Sequence, residues 1–131
     1  MHKSLLILIF IYTSVLPHQV LAKELPDSQI CRAVFSTIMD EKLEDVEFTR
    51  EVKQVKYIRI PPSKDNSTFK FKCTVTGNEI QWASEFGTWR DTDLDSSIVY
   101  AIKEGQLIIA ETYNSGYTFR KRFNLNEFDR E

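Results

Sequence analysis

Thr68-Phe69-Lys70-Phe71-Lys72-Cys73-Thr74-Val75-Thr76 alternates without a fault, and Gly77-Asn78 follows it directly. Successive side chains of a strand point to opposite faces, so Phe69, Phe71, Cys73 and Val75 share one face and the lysines and threonines the other. Gly-Asn between two extended runs is a two-residue hairpin signal, and Ile80 and Trp82 then continue the apolar side on the next strand. A half-apolar antiparallel pair needs a cover for its greasy face, and the rest of the chain is read from that need.

Downstream the same period recurs. Glu85-Phe86-Gly87 breaks the strand, Thr88-Trp89-Arg90 is read as a further extended piece, and Asp91 to Ser97 as a polar loop. Ile98, Tyr100 and Ile102 alternate, Glu104-Gly105 turns the chain, and Leu107, Ile109, Glu111 and Tyr113 follow. After the turn Asn114-Ser115-Gly116, Tyr117, Phe119, Lys121 and Phe123 close the series. Upstream, Val46–Arg50 and Val52–Ile60 read as one long strand or two short ones, stopped by Pro61-Pro62.

One segment before these strands has a different period. Ile30, Cys31, Val34, Phe35, Ile38 and Met39 form one face of a helix that ends near Met39, with Asp27 or Ser28 as its expected cap. The acidic run from Asp40 to Asp45 lies at the negative end of the helix and is read as its exit loop. The expected fold is therefore α+β: an N-terminal helix packed on a curved antiparallel meander of six or seven strands, with short connections throughout.

Cys31 and Cys73 are the only cysteines. An even count in a short exported chain indicates a disulfide. Cys31 is on the apolar helix face and Cys73 on the apolar strand face, so the bridge requires the helix to cover the sheet.

Export is read from the start of the chain. Lys3 precedes the apolar run Leu5–Val15, which is short for a bilayer span, and Val20-Leu21-Ala22 offers a cleavage site. Residues 1–22 are expected to be a signal peptide and residues 23–131 a single secreted domain, periplasmic or extracellular, with no stable membrane span after cleavage. The full chain has 131 residues, 17 basic and 19 acidic side chains and a net charge of -2. Loss of Lys3 leaves the domain at -3, an acidic balance that argues against a nucleic-acid partner.

Both histidines, His2 and His18, lie in the leader. A domain without histidine excludes Ser-His-Asp and Cys-His catalysis and histidine-bearing zinc sites, and two cysteines cannot form an all-cysteine zinc site. Asp91, Asp93 and Asp95 alternate as in a calcium loop, but Ser96 stands where that loop needs glycine and Ile102 where it needs glutamate. They are read as a solvated acidic turn. No carboxyl pair is marked as acid and nucleophile. The expectation is a non-enzyme with no metal and no cofactor. Asn66-Ser67-Thr68 fits a glycosylation sequon in a loop.

The remaining candidates are contact residues. Trp89 and Arg90 follow Gly87 at a turn and are rimmed by Asp91 and its neighbours, an apolar centre with a wet edge, as interfaces have. Tyr113 and Tyr117 flank another turn and join the candidate set. Lys70, Lys72, Arg120 and Arg122 would form a basic patch if their strands were neighbours.

The pattern running from Cys73 through Gly77-Asn78, Trp82, Gly87, Trp89-Arg90, Gly105, Glu111, Tyr113 and Gly116 to Phe123 resembles that of small exported bacterial proteins of unassigned activity. In size and export the chain is also similar in class to periplasmic lysozyme inhibitors, which are small β-rich proteins with a disulfide. Export, one stabilising bridge, a domain without histidine and a small rigid scaffold point to a binding module acting on another envelope or secreted protein as inhibitor, immunity or accessory factor. The alternative is a carrier of a small hydrophobic ligand held between the helix and an aromatic-lined sheet.

Overall fold

The alternating stretch at Phe69–Thr76 lies third in a row of seven strands that follow one another in space as they do in sequence. A computed structural model describes residues 24–62 and 67–130. The expected leader and the Asn66 sequon lie outside the described residues. The elements are helix α1 (Asp27–Ile38), strands β1 (Glu47–Val52), β2 (Val55–Ile60), β3 (Phe69–Thr76), β4 (Glu79–Ser84), β5 (Ser97–Lys103), β6 (Gln106–Thr112) and β7 (Thr118–Asn124), and a 3-10 segment at Leu125–Arg130. All neighbouring strands are antiparallel, and the sheet is not closed.

The helix does not open the chain. It begins at Asp27, and the Pro26 carbonyl accepts the Gln29 and Ile30 N–H groups without a side-chain cap from Asp27 or Ser28. Proline suits this place because its fixed φ leads into a helix. The Asp27 carboxylate is instead turned toward Lys56, at 3.8 Å.

α1 packs on β1, β2, β3 and β6. In a flat sheet β3 and β6 would lie about 14 Å apart, more than the roughly 10 Å width of a helix, so the sheet bends around α1. The concave face carries Ile58 and Ile60, Phe71 and Cys73, Ile80, Ile98, and Leu107 and Ile109, all buried with Ile30, Val34 and Phe35 of the helix. Phe35 stacks on Phe71 at 4.7 Å and meets Trp82 edge-on at 5.7 Å. Cys31 and Cys73 are bonded, with Cα atoms 6.0 Å apart, as the two apolar faces require.

Polar side chains complete the helix's lower contacts. Arg32 is buried and donates to the Val46 and Leu43 carbonyls, both at 2.6 Å, and to Gln29 Oε1 at 2.7 Å. It thereby satisfies the acceptors of the segment that leads from helix to sheet. Lys121 of β7 reaches the last turn of α1, with its ammonium 3.1 Å from Ser36 Oγ and 3.4 Å from the Ser36 carbonyl. It brings a cation to the end of the helix that its own acidic sequence leaves unfavourable.

Of the two readings of residues 46–60, the two-strand one holds: Lys53 and Gln54 both take positive φ, 51° and 71°, in a tight hairpin turn. That turn usually uses Asn and Gly, which is why the residue types did not mark its place. Other expectations are corrected. Thr88–Arg90 is not a strand. β3 and β7 are four places apart, so Lys70 and Lys72 form no common patch with Arg120 and Arg122. Phe69, placed by its alternation on the face to be covered, is exposed, and so is Phe119, while Val75, Trp82 and Tyr100 are partly buried at the margin of the core.

Candidate functional site

β4 and β5 pair at only two positions, Glu79 with Val99 and Ile80 with Ile98, and one further bond joins the Tyr100 N–H to the Asn78 carbonyl. Beyond Ile80 the two strands diverge, and residues 85–96 occupy the gap. The departure passes close to Ser84: the Gly87 N–H donates to the Ser84 carbonyl at 2.9 Å, and a Cβ at Gly87 would require the Ser84 hydroxyl to turn away. The loop then doubles back, and the Arg90 N–H donates to the Trp82 carbonyl at 2.9 Å. This backbone bond is what remains of the expected extended piece.

Trp89 is half-buried, with the Lys72 ammonium 4.7 Å from its ring centre. It is therefore not the bare aromatic centre of a contact surface that its place after Gly87 led us to expect. Arg90 is exposed, lies over the Trp82 ring at 4.9 Å and pairs with Asp95 at 3.4 Å. Asp91 is exposed beside it. Asp95 also accepts the Thr92 hydroxyl at 2.8 Å and the Thr92 N–H at 3.1 Å. These Thr92 bonds, helped by the nearby Arg90 charge, hold its carboxyl below the ordinary 3.8. The aspartates therefore shape the turn, and among the described residues no three Asp, Glu, His or Cys side chains come together as a metal ligand set.

The far end of the loop is tied to the second candidate pair. Asn114 Nδ2 donates to the Leu94 carbonyl at 2.9 Å. Tyr113 and Tyr117 stack with ring centres 6.1 Å apart. Glu111, buried on the inner face, accepts from Ser96 Oγ at 2.7 Å and from the Tyr113 hydroxyl at 2.9 Å. That bond to a carboxylate raises the Tyr113 phenol above its ordinary 10.0.

Phe119 lies directly opposite Glu111 in the β6–β7 register. Tyr113, two residues past Glu111, and Tyr117, two before Phe119, share that face. The outcome is an exposed apolar rim on one end of the open sheet: Leu94 (85% exposed), Tyr113, Tyr117 (62%) and Phe119. Tyr113 and Tyr117 are brought together there. Arg90 and Asp91 sit further back along the same loop, and Trp89 turns to the other face, where Lys72 lies.

Leu94, Phe119 and Glu111 were missed as site residues. Glu111 carried a signal, since it is a carboxylate at an inward position after Leu107 and Ile109. Leu94 carried none, because its place is decided by a bond from Asn114, twenty residues away.

No family model, curated protein or solved structure matches the chain. Among the described residues no helix is long and apolar enough to cross a membrane.

Proposed function

We propose that the protein is an exported binding module that acts by contact with another envelope or secreted protein, as an inhibitor, immunity or accessory factor, without catalysis of its own. The observation that carries this reading is the exposed apolar rim of Leu94, Tyr113, Tyr117 and Phe119. Large aromatics fixed in place lose little freedom on binding and dominate contact energies. Here the two tyrosines are held by their stack and by the Tyr113–Glu111 bond, and the Leu94 backbone by Asn114. Arg90, Asp91 and Asp95 supply the polar edge. The Cys31–Cys73 bridge suits an oxidising compartment, in keeping with the signal-like leader.

The carrier alternative has less support. A ligand between helix and sheet would need space that the stacked Phe35, Phe71 and Trp82 rings already fill.

The test is a photo-crosslinking amino acid at Tyr117 in the exporting cell. One defined envelope or secreted protein should be captured, and Leu94→Asp should abolish the adduct while leaving the thermal unfolding midpoint within a few degrees. No adduct, or an adduct indifferent to Leu94→Asp, would overturn the assignment.

A further inference from the structure

The convex face of β5, β6 and β7 carries a shallow trough of about 380 Å3 that is separate from the aromatic rim. Its floor is Val99 and Ala101 of β5 and Ile108 and Ala110 of β6. The two alanines keep it low where longer side chains would close it. Arg120 and Arg122 stand along the β7 side, about 7 Å apart as residues two positions apart on a strand are, and Lys103 stands at the β5 end. None of these three cations has an ion pair or hydrogen bond among the described residues. The register places a single carboxylate on this face of β4–β7, that of Glu79. It stands opposite Val99, three strand spacings from Arg120.

A charged edge strand is ordinary protection against sheet-to-sheet association, and that would account for Arg120 and Arg122. It does not account for the apolar floor left open between the cations. Three uncompensated positive charges around a hydrocarbon floor, in a domain of net negative charge, call for a ligand with both an anionic and an apolar part. An acidic peptide fits poorly. The floor residues pair with one another across β5 and β6, Val99 with Ala110 and Ala101 with Ile108, so peptide groups laid over them would lose water without gaining partners. A hydrocarbon chain has no such cost.

We propose that this trough binds an anionic amphiphile, with its phosphate or carboxylate head held by Arg120, Arg122 and Lys103 and its hydrocarbon body laid over Val99, Ala101, Ile108 and Ala110. Guanidinium groups grip such oxyanions through paired N–H donors. The volume suits a headgroup and the first few carbons, and the rest of the chain runs out over the surface.

The test is an NMR titration of the protein with dodecyl phosphate below its micelle concentration. Saturable shifts should centre on Val99, Ala101, Ile108 and Ala110. The double variant Arg120→Gln/Arg122→Gln should bind at least tenfold more weakly, as should the wild type with inorganic phosphate or with uncharged dodecyl maltoside. Both arginines are solvent-exposed, so the variant keeps its fold, which its unchanged spectrum elsewhere will verify. Flotation with phosphatidylglycerol and phosphatidylcholine vesicles distinguishes the source. Selective binding to the anionic vesicles points to membrane lipid, and dodecyl phosphate binding without vesicle binding points to a free amphiphile. No saturable binding, shifts centred elsewhere, or equal affinity for the maltoside overturns the proposal.

Discussion

The Tyr113 hydroxyl donates to Glu111 Oε1 at 2.9 Å, joining an exposed aromatic to a buried carboxylate two residues away. A phenol in that position is favoured in its neutral form, so Tyr113 ionises above the ordinary 10.0. Its contribution to the folded state is complete below pH 10 and is lost as pH rises through the raised value. Absorbance at 295 nm during an alkaline titration should therefore contain one late-ionising tyrosine that Tyr113→Phe removes. A variant that loses only normally ionising absorbance, with the late component left in place, would show that the bond does not hold in solution.

Asp95 has the opposite sign. Its carboxyl is held below 3.8 by the Thr92 bonds and by Arg90, so its contribution is present above that value and lost as pH falls through the lowered one. Acidification below about pH 4 should move the Thr92 amide resonance, and Asp95→Asn should remove that titration. A Thr92 amide that stays still down to pH 2 would contradict the turn described.

The Cys31–Cys73 bridge closes a loop of 42 positions between helix and sheet. In the chain-entropy model such a loop is worth roughly 3–5 kcal/mol, a large share of the stability of a domain this small. The paired substitution Cys31→Ser/Cys73→Ser should lower the free energy of unfolding in urea by about that amount. A loss under about 1 kcal/mol would mean that helix and sheet hold together without the bond.

Phe71 and Phe69 are adjacent on one strand face, yet Phe71 is 7% exposed and Phe69 53%. Phe71→Ala opens a cavity against Phe35 and Trp82 and should cost about 3–5 kcal/mol. Phe69→Ala should cost about 1 kcal/mol or less, as at other exposed positions. Equal losses in the two variants would place the edge of the core one row further out.

The alternation around Cys73, the helical spacing of Ile30, Val34 and Phe35, and the lone cysteine pair were enough to determine a helix bridged to an antiparallel meander. Those features depend only on neighbours in the chain: side-chain period, turn residues and a count of two thiols. What tertiary structure decided was where the core stops and what lies at its margins. Phe69 and Phe119 obey the same alternation as Phe71 and Phe123, but α1 spans a limited part of the concave face, so rows beyond its reach stay wet. The Lys53-Gln54 turn was invisible because its positive φ values are imposed by the pairing of β1 and β2 and not by residue type. Arg32 reads as one polar interruption of a helix, and only the path of Leu43 and Val46 gives it buried acceptors. Tyr113 and Tyr117 were legible as a candidate pair because they flank a marked turn. Their joining to Leu94 and Glu111 was not, since it arises where β4 and β5 separate and a loop must fill the gap.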